Sequence, residues 1–259
     1  MSREKSGNRL FLLKTVLEYI PLPMTNFRLI YESDYAEVLA ARVAPMPKRT
    51  VFVCNPLDSA LVLGSSQSTE VLSADFSGER FRIVKRRSGG GAVAVSPLAQ
   101  VWIDIFIPCD DPLYESDILK SPVWVGKLYA KTLNLLAVES CVYTGRLIGE
   151  DSRLICFAGL GPGEVVADDG KAVGISQRRN KDGTWFYTML PLDASQEYLW
   201  DLFGKKKLNI DCGAMDKNIL ICESNKDPDR NSGGREKTPL TAKNKLKIEK
   251  IFLELLCAV

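Results

Sequence analysis

The chain has 259 residues, 46% of them hydrophobic and 25% charged, with a net charge of +2. That is ordinary for one globular domain with appendages and gives no bulk electrostatic reason to bind nucleic acid or a membrane. There is no histidine, which excludes Ser-His-Asp and Cys-His nucleophile pairs, two-histidine metal sites and histidine general bases.

Proton transfer must therefore use Lys, Cys, Tyr, a carboxylate, water or the substrate. Seven cysteines are scattered, odd in number and never spaced Cys-x-x-Cys. They argue against a structural zinc site or a disulfide framework, so a reducing, cytoplasmic compartment is expected.

Residues 1–23 end in Ile-Pro-Leu-Pro and read as an N-terminal appendage, with Met24 as an alternative start. Lys14 and Glu18 interrupt the apolar residues there, so neither a signal peptide nor a membrane span is expected. Apolar spacing predicts a helix from Tyr31 to Val43, stopped by Pro45. Strand-like runs follow at Thr50 to Cys54, Ala60 to Gly64, Phe81 to Lys85, Ala92 to Val95 and Val101 to Ile107.

A helix is predicted from Trp124 to Leu136. Further strands are read at Leu154 to Phe157, Glu164 to Ala167, Ala172 to Gln177 and Trp185 to Leu192, then a helix from Ala194 to Phe203. Many short strands with few helices indicate an α+β domain over 24–222, with a mixed or antiparallel central sheet flanked by helices. Residues 223–243 have the Asn, Asp, Lys, Ser, Gly and Pro content of a linker or loop. Residues 244–259 carry the apolar stripe of a final helix, read as packing back on the domain rather than onto a partner.

Two stretches carry chemistry. Lys85-Arg86-Arg87-Ser88-Gly89-Gly90-Gly91-Ala92-Val93 combines a backbone free to approach a ligand with two guanidinium groups. Such a loop holds a carboxylate, phosphate or acyl-adenylate, or else is a plain turn between strands. It is not a P-loop, because no Gly-Lys-Ser/Thr follows.

The second is Asp168-Asp169-Gly170-Lys171-Ala172-Val173-Gly174-Ile175-Ser176-Gln177-Arg178-Arg179. Asp169-Gly170 signals a hairpin turn, which puts Lys171 at the start of a strand with Gly174 permitting close approach. Taken alone, Lys171 reads as a solvated lysine.

Together with Val62-Leu63-Gly64-Ser65-Ser66-Gln67, these stretches resemble the lipoate–protein ligase A and octanoyltransferase family, within the biotin/lipoate protein ligase superfamily. The resemblance runs from about Phe27 to Phe203. It implies that family's catalytic-domain fold and the joining of a lipoyl or octanoyl group to a carrier-domain lysine. It also implies substrate contacts from Gln67, Arg86, Arg87, Ser88, Gly89, Gly90, Gly91, Ala92, Gly174 and Ser176.

Lys171 matches the essential lysine, whose ammonium grips the acyl carbonyl or the adenylate. A fixed positive charge in a dry pocket stabilises the oxyanion formed as a carbonyl is attacked. Thioester-forming relatives place a cysteine upstream of that lysine, often as Cys-Phe; Cys156-Phe157 is similar, fifteen residues before Lys171. Lys171 could lower the thiol's pKa without any histidine. The other reading of Cys156 is a core cysteine in an apolar strand. The later Pro162-Gly163-Glu164 also looks like the stretch after the nucleophile of lipoyl amidotransferases, but Gly161 stands where they have cysteine.

The chain departs from the family in two places. Ala94-Val95-Ser96 replaces the usual His-Asp, and Gln100-Val101-Trp102-Ile103-Asp104 occupies the neighbourhood of Gly-Asn-Leu-Asn. Too few residues follow Phe203 for the complete accessory domain of ATP-dependent ligases. Acyl transfer through a Cys156 thioester, requiring no cofactor or metal, is therefore favoured over ligation through acyl-AMP with ATP and magnesium.

A biotin ligase lacks support because the Gly-Arg-Gly-Arg loop is absent. A non-catalytic acyl or lipoyl-domain binder would not require Lys171. Implied partners are lipoyl-domain proteins (2-oxoacid dehydrogenase subunits and the glycine cleavage carrier protein) and acyl carrier protein, with no nucleic acid or membrane.

Overall fold

The computed structural model describes residues 26–72, 82–167, 170–193, 196–205, 219–222 and 240–259. The expected appendage at 1–23 and residues 223–239 of the expected linker lie outside the described residues, as do Phe81 and the turn residues Asp168 and Asp169; the last residues expected in the linker run into a 3-10 turn, Ala242–Asn244, before the final helix.

Strand β1 (Arg28–Asp34) runs parallel to β2 (Thr50–Pro56), which pairs antiparallel with β6 (Gln100–Pro108). β6 is followed across the sheet by β10 (Gly183–Pro191), β9 (Gly170–Asn180), β8 (Val165–Ala167), β7 (Ser140–Tyr143) and β11 (Leu220–Ile221). A smaller sheet has β3 (Ala60–Leu63) between β4 (Arg82–Lys85) and β5 (Val93–Val95). Helices α1 (Ala36–Ala40), α2 (Val123–Leu135), α3 (Tyr198–Leu202) and α4 (Lys245–Leu256) complete the named elements. This is the expected α+β architecture with a mixed sheet.

Every residue of β6 is buried, because the large sheet is covered on both faces. Alternation splits its side chains: Val101, Ile103, Ile105 and Ile107 join a core with α2 and α4, whereas Trp102 and Phe106 face the small sheet. β10 divides in the same way, Phe186 and Leu190 to the first core, Trp185 and Met189 to the second. Each fully buried large apolar side chain contributes about 1.5–3 kcal/mol. On α2, Val125, Leu128, Tyr129 and Leu133 recur at helical spacing and are buried. The Tyr129 ring packs tilted against Phe252 of α4, centres 4.3 Å apart, so the final helix packs on the domain as its stripe indicates. Among the described residues no helix is long and apolar enough to cross a membrane.

Three local expectations are corrected. The helix predicted from Tyr31 to Val43 shrinks to Ala36–Ala40, because Arg28–Asp34 gives its backbone bonds to β2; Asp58 instead accepts from the Ala36 N–H at 2.8 Å at the start of that helix. Leu154 to Phe157 is not a strand. Ile155 makes a single bridge to Ala92, and Cys156–Ala158 turns as a short 3-10 helix. The cysteines do form a disulfide: Cys141 of β7 is bonded to Cys222 just beyond β11. Close placement of two thiols distant in sequence is invisible to a spacing rule, and the cytoplasmic expectation loses that part of its support.

Candidate active site

The glycine-rich stretch forms the link between β4 and β5, beneath the end of β3. A Cβ on Gly64 would stand 1.9 Å from the Gly90 carbonyl oxygen, and Gly90 has a φ of +98°. Those positions admit glycine alone without rearrangement. A Cβ on Gly91 would lie 2.6 Å from the Cys156 backbone nitrogen. The glycines thus bring the loop against the segment that carries the thiol, and Cys156 N–H donates to the Ala92 carbonyl at 3.0 Å.

Arg86 braces this loop: Nε donates to Ser88 Oγ at 3.1 Å, and Nη2 to the carbonyls of Gly89 and Gly91 at 2.8 and 3.0 Å. Ser88 Oγ lies 3.0 Å from Ser176 Oγ on β9, joining the loop to the large sheet. Gln67 is buried; its Oε1 accepts from Gly64 N–H at 2.8 Å and its Nε2 donates to the Leu154 carbonyl at 2.9 Å. Arg87 is exposed, and its carbonyl accepts from Arg178 Nη1 at 2.9 Å.

Lys171, near the start of β9, points into the same place. Its Nζ is 2.7 Å from Glu164 Oε1, 2.7 Å from the Cys156 carbonyl oxygen and 3.6 Å from Cys156 Sγ. The solvated alternative is gone: the Lys171 side chain is 3% exposed. Burial opposes its charge, but Cys156 and the Glu164 carboxylate together outweigh that cost and hold the lysine above its ordinary pKa. Glu164 is fixed in turn by the N–H groups of Gly161 on Oε2 (2.7 Å) and Ile175 on Oε1 (3.1 Å).

Sequence reasoning named Lys171 and Cys156 but missed Glu164 as their partner. Its signal was the Pro-Gly-Glu stretch, read only for a cysteine it does not contain. Gly174 completes the corner, since a Cβ there would come 3.2 Å from Cys156 Sγ.

From this corner a narrow apolar cleft of about 50 Å³ opens between the two sheets. Arg86, Cys156, Gly174 and Ser176 lie at the charged end; Ala40, Val62, Val93, Val95, Trp102 and Met189 supply apolar wall. Among the described residues, no three His, Cys, Asp or Glu side chains stand together as a metal-ligand set. Two buried carboxylates of this region are engaged, Glu164 by Lys171 and Asp104 by Arg42. The residues present therefore do not make a ready magnesium site beside the glycine loop.

An apolar cleft ending in a thiol, a buried ammonium and a glycine loop can hold an acyl chain with its carbonyl between the charged groups. Residues 31–217 match the model of the lipoyl protein ligase A/B catalytic domain. A Thermoplasma acidophilum protein described as a candidate lipoate protein ligase, solved with bound lipoic acid, is 16% identical with a TM-score of 0.54, over 71% of this chain and 76% of that one. A lipoate-protein ligase A solved with ATP is 16% identical with a TM-score of 0.53, over 69% and 71%. The T. acidophilum bipartite ligase, studied with its E2 lipoyl domain, is 14% identical with a TM-score of 0.50, over 89% and 84%. A search of curated proteins gave no match. With most of its length matched by that family model, the chain belongs to the lipoyl protein ligase A/B catalytic-domain family.

Proposed function

We propose that the chain transfers an octanoyl or lipoyl group to a lysine of a lipoyl-carrier domain through a thioester on Cys156. The observation that carries this reading is the 3.6 Å approach of Lys171 Nζ to Cys156 Sγ at the end of an apolar cleft.

An ammonium has three donors; two are given to Glu164 and to the Cys156 carbonyl, and the third is directed to the sulfur. The Cys156 thiolate attacks the donor's thioester carbonyl, and the oxyanion forms beside the fixed ammonium. Collapse expels the donor thiolate, which takes up a proton. The acceptor amine then attacks the acyl-cysteine, an amide forms, the amine's proton is lost to solvent, and the Cys156 thiolate is released. Each step balances without ATP.

The donor is an acyl carrier protein. The acceptors are the lipoyl domains of 2-oxoacid dehydrogenase subunits or the glycine cleavage carrier protein, in keeping with the T. acidophilum ligase and its E2 lipoyl domain. The engaged state of Glu164 and Asp104 favours transfer over the alternative, ligation through acyl-AMP with ATP and magnesium.

Intact-mass spectrometry of the protein mixed with octanoyl-carrier protein, without ATP, tests the reading. The expected result is one octanoyl adduct that hydroxylamine removes and that Cys156→Ser prevents. No adduct, but modification of a lipoyl domain with free lipoate plus ATP, would replace transfer with ligation.

A further inference from the structure

Trp102 and Asp104 stand in the stretch where the chain departs from its family's Gly-Asn-Leu-Asn pattern, and the chemistry above uses neither. Their positions follow from register. Gly174 of β9 is opposite Met189 of β10, which is opposite Trp102 of β6. Direct cross-strand partners share a face, so a row runs from the catalytic corner to Trp102 across two strand spacings, about 10 Å.

All three residues line the cleft, which Val62, Val93 and Val95 of the small sheet roof over. Ala40 of α1, a helix that packs on β1 to β4, also lines it. The charged end is therefore at β9 and the far end at β6 and α1. An extended carbon chain advances about 1.2 Å per bond, so eight carbons reach about 8–9 Å from the thioester. That is comparable to the two strand spacings that separate Gly174 from Trp102.

The indole is locked. Trp102 Nε1 donates to Asp104 Oδ1 at 2.8 Å, and Asp104 Oδ2 accepts from Arg42 Nη1 at 2.7 Å. Arg42 also pairs with Glu32 and lies 4.1 Å over the Phe52 ring. Tyr187, another cleft residue, donates its hydroxyl to the Arg42 carbonyl at 2.8 Å. Asp104 is wholly inaccessible to water. A buried ion pair adds little net stability, but this one holds a large ring in a single orientation in the wall of the cleft.

We propose that Trp102 is the end stop that limits the acyl chain to about eight carbons, and that Asp104 and Arg42 are positioning residues that hold it there. The proposal rests on the acyl-pocket reading above. It does not require the thioester.

The test compares hexanoyl, octanoyl, decanoyl and dodecanoyl carrier proteins by rate of acyl-enzyme formation. The matching free carboxylic acids are titrated calorimetrically in parallel. Wild type should favour octanoyl over dodecanoyl by about tenfold or more. Trp102→Ala should shift the preference toward decanoyl and dodecanoyl, and Trp102→Phe should shift it less in the same direction. Asp104→Asn should blur the octanoyl preference, which a merely structural carboxylate would not do.

Should Trp102→Ala fail to fold, Trp102→Phe decides. An octanoyl-to-dodecanoyl ratio unchanged in a folded variant overturns the end stop. If wild type forms no acyl-enzyme, the thioester reading falls. The same ratio, read from the free acids, then still upholds or overturns the end stop.

Discussion

Lys171 and Glu164 form a buried ion pair, ammonium to carboxylate at 2.7 Å, with their side chains 3% and 9% exposed. Removing one partner of such a pair leaves an uncompensated buried charge, at a cost of about 3–5 kcal/mol. Lys171→Ala should therefore abolish transfer and also lower stability. Glu164→Gln keeps the shape but turns one of two acceptor oxygens into an NH2 that faces an N–H donor, so it should fold with reduced stability and transfer the acyl group about tenfold or more slowly. Full activity in Lys171→Ala would contradict every catalytic role given to the lysine.

The same pair sets a pH dependence. A base whose pKa is raised on folding stabilises the fold below its unfolded pKa, and that stabilisation is lost as pH rises through the folded value. For Lys171 the folded value lies above the ordinary lysine range, so the ammonium persists through neutral and mildly alkaline pH. Glu164→Gln removes one cause of the upward shift. Its activity and stability should decline at a lower alkaline pH than those of wild type. Superimposable pH–rate and pH–stability profiles would refute the coupling.

Gly174→Ala places a methyl group 3.2 Å from Cys156 Sγ and 3.5 Å from Lys171 Cε. The thiol can give way by rotating, so stability should change by about 1 kcal/mol. The attack geometry should suffer, since small misplacements of reacting groups are costly, up to about 100-fold for a shift of about 1 Å. Acyl-enzyme formation at saturating donor, with a parallel denaturant melt, separates the two effects. A normal rate would show that the thiol does not react from this position.

Gly64→Ala has no such escape, because its methyl would meet the Gly90 backbone oxygen at 1.9 Å. The small sheet must part from the glycine loop, for a loss of about 1–3 kcal/mol or more. Protease nicking between Arg86 and Ala92 should rise with it. An unchanged melting point would mean that the loop does not rest on β3.

Cys141 and Cys222, separated by 81 residues, are joined by a disulfide that fastens the β11 segment to β7. Closing a loop of that size removes chain entropy worth up to about 4 kcal/mol from the unfolded state. Cys141→Ser and reducing agent should each lower the midpoint of denaturant unfolding, and not additively. A midpoint unaffected by either would show that the bond contributes nothing to stability.

The order of motifs along the chain was enough to determine the family and the fold class, because tight glycine turns and a strand-borne lysine are local demands of backbone geometry. It also named Lys171 and Cys156. What the tertiary structure alone decided is which groups meet. Glu164 lies on the turn before β8, and only the curl of β8 against β9 brings its carboxylate to Lys171. Cys156 read as a strand residue, yet it opens a 3-10 turn that lies close against Gly91 and is hydrogen-bonded to Ala92, far upstream in the chain. Trp102 and Asp104 lie in an unbroken buried strand, where hydrophobic pattern cannot distinguish a core tryptophan from the wall of a cleft. Strand register makes that distinction, because side chains from three strands share one row only after β6, β10 and β9 have paired.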